Sequence, residues 1–176
     1  TAACAQMARF YDLPGGSAAG MADAKLPDAQ SGYEKGISTT LAGLSGLNLV
    51  YESAGMHGSL LGFCHESLII DNDMLGQALR CVRGIEVNDE TLAIDAMREV
   101  CTEGPGHYLG HPKTLEVMQS EYVYPVSGDR TSPKEWAEKD RPDLIQVAHA
   151  RVEQVLASHH PVYIDPDIDA RLRERY

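Results

Sequence analysis

The sequence has little positive charge, no closely paired cysteines and no long apolar run. Its 15 Lys and Arg residues are outnumbered by 26 Asp and Glu residues, and the formal net charge is -11. Because nucleic acids and membrane surfaces are bound mainly through clusters of Lys and Arg, we expect neither as a partner. No stretch approaches the ~20 apolar residues of a transmembrane helix. The four cysteines contain no CxxC pair, so we expect reduced thiols and a cytoplasmic protein.

The sequence also lacks the signatures of hydrolytic and phosphate-binding sites. It contains no nucleophile with a base and an orienting group, no glycine-rich phosphate loop and no paired-carboxylate hydrolase motif. His107 and His111 are four residues apart, a spacing that suits a metal only on a helix. The glycines and prolines around them exclude a regular helix, and no Glu stands where a hydrolytic metal motif needs one. We therefore expect no bound metal; the imidazoles either bond to backbone carbonyls or contact a ligand.

The positive signal is an alternation of helices and strands within a globular composition. Hydrophobic residues make up 43% of the 176 positions and charged residues 23%. The small-residue run at 13–20 predicts a strand that opens into a loop, and residues 47–52 predict a second strand buried on both faces. Helices are predicted at 1–11, from Asp28 onward, and at 64–83 before Gly84. Since parallel neighbours cannot be joined by a tight turn, the alternation predicts parallel strands with crossover helices.

The helix that begins at Asp28 has an apolar face and a glycine near its end. Tyr33, Ile37 and Leu41 recur at the spacing of one helical face, and Gly43 leaves room for a neighbouring helix to lie close. Beyond Gly84 the strand signals end. One helix is predicted from its cap at Asn88 or Asp89 through Val100, and others are predicted at 114–121, 133–139, 142–158 and 169–176.

Two strands are too few for a stable parallel sheet, because both faces and both edges need covering. We therefore expect the rest of the sheet to lie in another chain segment. Thr1 begins within a helical pattern, which indicates a piece of a longer protein.

The loops after the two predicted strands are the best candidate site, because ligands gather at the carboxyl ends of parallel strands. Ser17 and Asp23 belong to the first loop, and Tyr51, Glu52 and His57 to the second. An aromatic face beside a carboxylate suits a tertiary or quaternary ammonium, which has few or no N–H donors. The alternative is structural: a core phenol and a salt-bridged carboxylate at a strand end.

Several segments together carry a family resemblance. The loop Gly104-Pro-Gly-His-Tyr-Leu-Gly-His-Pro-Lys-Thr114, followed by Glu121-Tyr-Val-Tyr-Pro125, Asp129-Arg130 and Trp136, resembles the C-terminal signature of the trimethylamine methyltransferase family. Upstream, Asp23-Ala-Lys25, Asp28-Ala-Gln-Ser-Gly-Tyr-Glu34, Leu41-Ala-Gly-Leu-Ser-Gly-Leu-Asn48 and Ile69-Ile-Asp71 resemble further segments of the same family. The order and spacing of these segments extend the resemblance over the whole chain.

The resemblance implies an α/β fold: the last β/α units of a (β/α)8 TIM-type barrel at residues 1–84, followed by a C-terminal helical extension at 85–176. It implies methyl transfer from a tertiary or quaternary amine to a corrinoid (cobalamin) carried by a separate partner protein. No pyrrolysine stands in the sequence, which favours the quaternary-amine branch. The resemblance assigns no catalytic residue. Ser17, Tyr51, Glu52, His57 and His107 are the candidates for contact with the substrate, and His107 also for contact with the corrinoid.

Two other interpretations stay open. In the first, the chain is a non-catalytic half-barrel that binds a corrinoid protein or assembles as a homo-oligomer. The enzyme interpretation, by contrast, needs an N-terminal barrel half as its complement. Alternatively, it belongs to an unrelated barrel lyase or decarboxylase with a similar tail.

Overall fold

The computed structural model describes residues 1–175; Tyr176, the last residue of the predicted extension, lies outside the described residues. In chain order the elements are α1 (Ala2–Phe10), β1 (Gly16–Ala18), α2 (Ala29–Leu44), β2 (Leu49–Tyr51), β3 (Met56–His57), β4 (Gly62–Phe63), α3 (His65–Arg83), α4 (Asp89–Leu92), α5 (Ile94–Arg98), a π-helix (Glu99–Glu103), α6 (Pro112–Glu121), α7 (Pro133–Glu138), α8 (Leu144–Ser158) and α9 (Pro166–Arg175). No helix within residues 1–175 is long and apolar enough to cross a membrane.

The N-terminal part is built on a β–α–β unit. Strands β1 and β2 pair in parallel, with Ser17 opposite Val50, and α2 is the connection between them. The predicted parallel strands with a crossover helix are therefore confirmed for this pair. The prediction that the second strand is buried on both faces is wrong for the described residues. Leu49 and Tyr51, two residues apart on one face of the strand, are 61% and 48% exposed within residues 1–175.

Helix α2 begins as the sequence predicts. The Asp28 carboxylate accepts a hydrogen bond from the Ser31 backbone N–H at 3.1 Å, which satisfies one of the free donors at a helix start. Near its other end α2 packs against α3. A Cβ atom at Gly43 would lie 2.5 Å from Val82 Cγ2, so the absent side chain permits the close approach predicted there.

On α2 the polar face is buried and the apolar face is exposed. Its apolar residues Tyr33, Ile37 and Leu41 are 57%, 66% and 48% exposed. The buried positions of the helix are instead small or polar: Ser31, Lys35, Thr39 and Ala42. The polar side of α2 therefore faces the interior, and its apolar stripe is uncovered in residues 1–175.

The predicted helix from 88 to 100 is interrupted. Asn88 caps α4 and exchanges side-chain and backbone hydrogen bonds with Thr91, as predicted for the start of this segment. The single helix is a wrong prediction, because Ala93 adopts a left-handed conformation with φ 51° and ends α4 after one turn. The chain then continues through α5 into the π-helix.

The residues that follow α3 in the chain are bonded back to it. Asp73 of α3 accepts hydrogen bonds from the backbone N–H groups of Val126 and Ser127, both at 2.7 Å. Arg80 donates to the Glu121 carboxylate at the end of α6 at 2.5 Å. Helix α8 packs along α3 as well, and His149 meets Glu66 at 2.7 Å. Helix α3 thus connects the β–α–β unit to the extension.

Candidate functional site

The loops that follow β1 and β2 lie against each other, as the sequence predicts for the carboxyl ends of parallel strands. The Ala22 N–H donates to the Met56 carbonyl at 3.3 Å, and the Gly58 N–H donates to the Ala24 carbonyl at 3.0 Å. Where the loops cross, Gly20 has φ 83°, and a Cβ atom there would lie 2.7 Å from the Ser53 carbonyl oxygen. Glycine avoids both the strain and the clash at this crossing.

A short antiparallel hairpin forms the second loop. Strand β3 pairs with β4 through Met56 opposite Phe63 and His57 opposite Gly62. The turn residues Ser59 and Leu60 both have positive φ. The sequence contains no Asn-Gly or Asp-Gly turn signal between these strands, so the hairpin was predicted only as a loop.

An open pocket of about 390 Å³ lies at this end of the sheet. Its walls come from the first loop, α2 and the hairpin turn: Met21, Ala22, Asp23, Glu34, Ser59 and Leu60. Two of these residues are carboxylates. The pocket is therefore acidic and partly apolar.

Hydrogen bonds fix both carboxylates of the pocket. Glu34 accepts from the Gln30 amide at 2.8 Å and from the backbone N–H groups of Asp23 at 2.8 Å and Ala24 at 3.2 Å. The bond from Gln30, followed by the two backbone bonds, holds the pKa of Glu34 below its ordinary value. The Ser59 hydroxyl donates to the Asp23 carboxylate. The pocket thus presents an ionised Glu34 beside Asp23 at neutral pH.

Behind the pocket lies a buried polar cluster of four side chains, which we call the Lys35 cluster: Lys35, Asp71, His57 and Ser67. Lys35 and Ser67 are 1% exposed, and His57 and Asp71 are 4% exposed. The Lys35 ammonium is 2.7 Å from Asp71 Oδ2 and 3.3 Å from His57 Nε2. The Ser67 hydroxyl is 2.5 Å from the same His57 nitrogen.

The partners of His57 assign its tautomer. Its Nδ1 is 3.2 Å from the Ala24 carbonyl oxygen, which only accepts, so Nδ1 carries the proton. Its Nε2 then accepts from the Lys35 ammonium and the Ser67 hydroxyl. Asp71 Oδ2 also accepts the Gly55 backbone N–H at 2.8 Å. The cluster therefore bonds to a backbone group in each of the two loops.

No group of three or more His, Cys, Asp or Glu residues within residues 1–175 is arranged to hold a metal ion. His111 has a structural contact instead. Its Nδ1 accepts the Lys113 backbone N–H at 3.1 Å at the start of α6, and its Nε2 lies 3.3 Å from Glu99. The imidazole therefore ties its loop together, although through an N–H group rather than the predicted carbonyl.

Comparison with known proteins decides the family. The family model described as trimethylamine methyltransferase (MTTB) matches residues 1–176. The chain belongs to the trimethylamine methyltransferase family. The predicted resemblance is thereby confirmed over the whole chain.

Individual relatives agree with this assignment. The chain is 36% identical to glycine betaine methyltransferase of Desulfitobacterium hafniense (strain Y51), over 97% of this chain and 35% of that protein. It is 39% identical to trimethylamine methyltransferase MttB of Methanosarcina barkeri (strain Fusaro / DSM 804), over 96% of this chain and 33% of that protein. The chain thus spans about a third of the length of the curated relatives it matches.

In this member of the trimethylamine methyltransferase family, the candidate site residues have different surroundings. The prediction that Ser17 belongs to the first loop is wrong: it lies half-buried within β1, and its hydroxyl is 3.3 Å from the Ala18 carbonyl. Tyr51 ends β2 and is 48% exposed; Glu52 follows it, exposed and with φ 61°. His57 lies inside the Lys35 cluster rather than on the surface.

His107 is exposed, in the loop between the π-helix and α6. No hydrogen bond or ion pair within residues 1–175 connects it to the loops that follow β1 and β2.

Sequence reasoning missed four polar residues of this site. Glu34, Lys35, Ser67 and Asp71 were not predicted to belong to the site; Glu34 and Asp71 stand only in segments that carry the family resemblance. A signal was available on α2, where Ser31, Lys35 and Thr39 recur every four residues opposite the apolar stripe. That pattern places a lone lysine among small side chains on one helical face.

Proposed function

We propose that this chain is the C-terminal part of a (β/α)8 barrel enzyme that transfers a methyl group from a tertiary or quaternary amine to the corrinoid of a separate protein. The observation that carries the proposal is the family match over residues 1–176. The relatives named as glycine betaine and trimethylamine methyltransferases agree with an amine substrate of this class.

The β–α–β unit supports the barrel part of the proposal. Its two parallel strands leave an edge open on each side, and Leu49 and Tyr51 are exposed on one face of the sheet. In a full-length protein of this family, we expect neighbouring strands from the other two-thirds of the chain to pair with these edges. Tyr51 would then face a covered space at the carboxyl end of its strand.

The pocket suits a methylated ammonium ion. Such a cation offers few or no N–H donors, so its recognition depends on charge and on aromatic faces. Asp23 and Glu34 supply negative charge at the pocket, and Tyr51 ends the adjacent strand with Glu52 directly after it. We propose that these four residues favour the cation and hold its methyl group in position for transfer.

Positive charge on the substrate nitrogen is also needed for the chemistry. The reduced corrinoid of the partner protein would supply the nucleophile that takes the methyl group, and the amine would leave as a neutral molecule with the C–N bonding pair. The protein therefore needs to bind, orient and desolvate the cation more than to transfer protons. Ser17 is a further candidate contact with the amine, and the exposed His107 is one with the amine or the corrinoid protein.

The proposal is tested by methyl transfer from glycine betaine and from trimethylamine to cob(I)alamin, with a full-length enzyme that contains this chain and its N-terminal barrel half. Asp23→Asn is expected to raise the KM for the accepted amine roughly tenfold, and Glu52→Gln should act in the same direction without loss of folding. Asp95→Asn is the matched control, because the Asp95 side chain is 89% exposed on α5 and its carboxylate pairs with Arg98, away from the pocket's lining residues.

The outcomes separate the two candidate functions. Failure of the unmodified full-length enzyme to transfer methyl groups from either amine, to cob(I)alamin or to a corrinoid protein, contradicts the enzyme proposal. A symmetric oligomer of this chain that is inactive but binds a corrinoid protein would favour the non-catalytic half-barrel. The exposed sheet face at Leu49 and Tyr51 is the observation that keeps this second candidate in view.

A further inference from the structure

We propose that the Lys35 cluster is a positioning device, which fixes the loops after β1 and β2 on α2 and α3 and thereby holds the pocket carboxylates in place. The inference rests on the proposed function, because it assigns the cluster a role in binding the amine at the same pocket. It concerns residues that lie behind the pocket: none of the four cluster members is among the pocket's lining residues.

The cluster reaches the pocket through backbone atoms. His57 donates from Nδ1 to the carbonyl of Ala24, the residue directly after Asp23. On the other side of the same short segment, Glu34 accepts the N–H groups of Asp23 and Ala24. The segment that carries the Asp23 carboxylate is therefore held by a pocket residue from one side and by the cluster from the other.

The second loop is held in the same way. Asp71 Oδ2 accepts the Gly55 N–H at 2.8 Å, one residue before β3 begins. His57 belongs to β3 itself, and two residues later Ser59 donates to the Asp23 carboxylate. A shift of the hairpin would therefore move the hydroxyl that orients Asp23.

Helix α2 couples the cluster to the other carboxylate. Lys35 and Glu34 are consecutive, and they diverge: Glu34 lines the pocket, whereas Lys35 enters the buried cluster. The Lys35–Asp71 pair also joins α2 to α3. Rotation of α2 that moved Glu34 would have to break a buried ion pair, which is costly because it leaves a charge without a partner.

Because the cluster side chains are buried and do not line the pocket, we assign them no direct chemical role. Lys35 and Ser67 are 1% exposed. The Lys35 ammonium bonds to Asp71 and His57, and the Ser67 hydroxyl bonds to His57. A buried ion pair contributes little net stability over an apolar replacement, so its benefit is best sought in specific positioning. In this site the positioned groups are Asp23 and Glu34, which must stay close enough to act on one cation.

Two matched substitutions on α3 test the inference in the full-length protein that contains this chain and its N-terminal barrel half. Asp71→Asn removes the charge from the cluster. Asp73→Asn makes the same change two residues away, at a buried carboxylate that accepts backbone N–H groups of residues 126–128 instead. Binding of glycine betaine and of tetramethylammonium is measured by calorimetry, and amide hydrogen exchange is measured by mass spectrometry.

We expect Asp71→Asn to weaken binding of the accepted cation roughly tenfold, equivalent to about 1.4 kcal/mol. It should also speed hydrogen exchange in residues 19–27 and 52–60. Asp73→Asn should leave the Kd unchanged and speed exchange only in residues 125–128. Equal losses of affinity in the two variants would show that only general destabilisation is at work and would overturn the inference.

A milder variant guards against loss of folding. Ser67→Ala removes one hydrogen bond to His57 and keeps the ion pair, and it should reproduce both effects of Asp71→Asn in weaker form. Unchanged exchange in residues 19–27 and 52–60 in this variant and in Asp71→Asn would contradict the positioning role. If the unmodified protein binds neither cation, the proposed function fails, while the exchange comparison still decides whether the cluster fixes the loops.

Discussion

Replacement of Lys35 by methionine probes the buried ion pair directly. Methionine keeps the length and the apolar stem of the side chain but removes the ammonium group. In this variant, among the described residues, Asp71 Oδ2 keeps the Gly55 N–H at 2.8 Å as its donor, and His57 Nε2 keeps the Ser67 hydroxyl. A carboxylate that is 4% exposed is left without a counter-charge.

The structure sets the size of the effect. At 2.7 Å the two charges attract each other by about 6 kcal/mol at an effective dielectric constant of about 20. Desolvation of both groups offsets much of that attraction, but removal of one partner leaves the penalty for the other. We therefore expect Lys35→Met to lower the free energy of unfolding by about 3–5 kcal/mol. Adding Asp71→Asn should recover about 1–3 kcal/mol, because the amide oxygen still accepts the Gly55 N–H without carrying a charge.

Urea unfolding followed by far-ultraviolet circular dichroism measures both values. Lys134→Met is the matched control, because Lys134 is 85% exposed and lies 3.9 Å from Glu138. Its midpoint should equal that of the unmodified protein. A loss below about 1 kcal/mol for Lys35→Met, typical of an exposed ion pair, would refute the reasoning, as would a double variant no more stable than Lys35→Met alone.

Two further predictions concern the helix contacts. Gly43→Ala places a methyl group 2.5 Å from Val82 Cγ2. The overpacking costs about 1–3 kcal/mol, which should exceed the gain of about 1 kcal/mol in helix propensity. Urea unfolding should therefore show a net loss of stability, which a second substitution, Val82→Ala, relieves. A Gly43→Ala variant as stable as the parent would contradict the contact. The second prediction concerns the hydrogen bond between His149 and Glu66. This bond raises the pKa of His149 above its ordinary value and lowers the pKa of Glu66 to about 2. Thermal unfolding should therefore show His149→Gln most destabilised relative to the parent between about pH 4.5 and pH 6.5. The difference in stability should be lost as His149 deprotonates at higher pH, and also as Glu66 protonates toward pH 2. A difference that does not depend on pH would exclude this pair as its cause.

Features with a local cause were predictable from the sequence. The Asp28 cap and the Asn88 cap each depend on a side chain and a backbone N–H three residues later. The parallel pairing of β1 with β2 follows from two short strands separated by a helix that is too long for a hairpin. The confirmed family resemblance likewise depends on segments that are contiguous in the chain.

Features with a distant cause were not predictable in this way. The break at Ala93 has no Gly or Pro to signal it, and the left-handed residue there is an alanine. The hairpin turn at Ser59 and Leu60 likewise uses residues that rarely adopt positive φ. In both places local propensity favours another conformation, so the surrounding structure must impose the one observed.

The candidate site combines both kinds of feature. The rule that ligands gather at the carboxyl ends of parallel strands located the loops, and it placed Asp23 correctly in one of them. It could not select Lys35, whose partner Asp71 is 36 residues away in the chain. Yet each helix carries a related pattern: a serine precedes the charge by four residues, as Ser31 precedes Lys35 and Ser67 precedes Asp71. Four residues make about one helical turn, so each charge shares a face with a small polar neighbour, where a second helix can approach closely. Two adjacent helices with lone charges of opposite sign on such faces are therefore a readable signal for a buried pair.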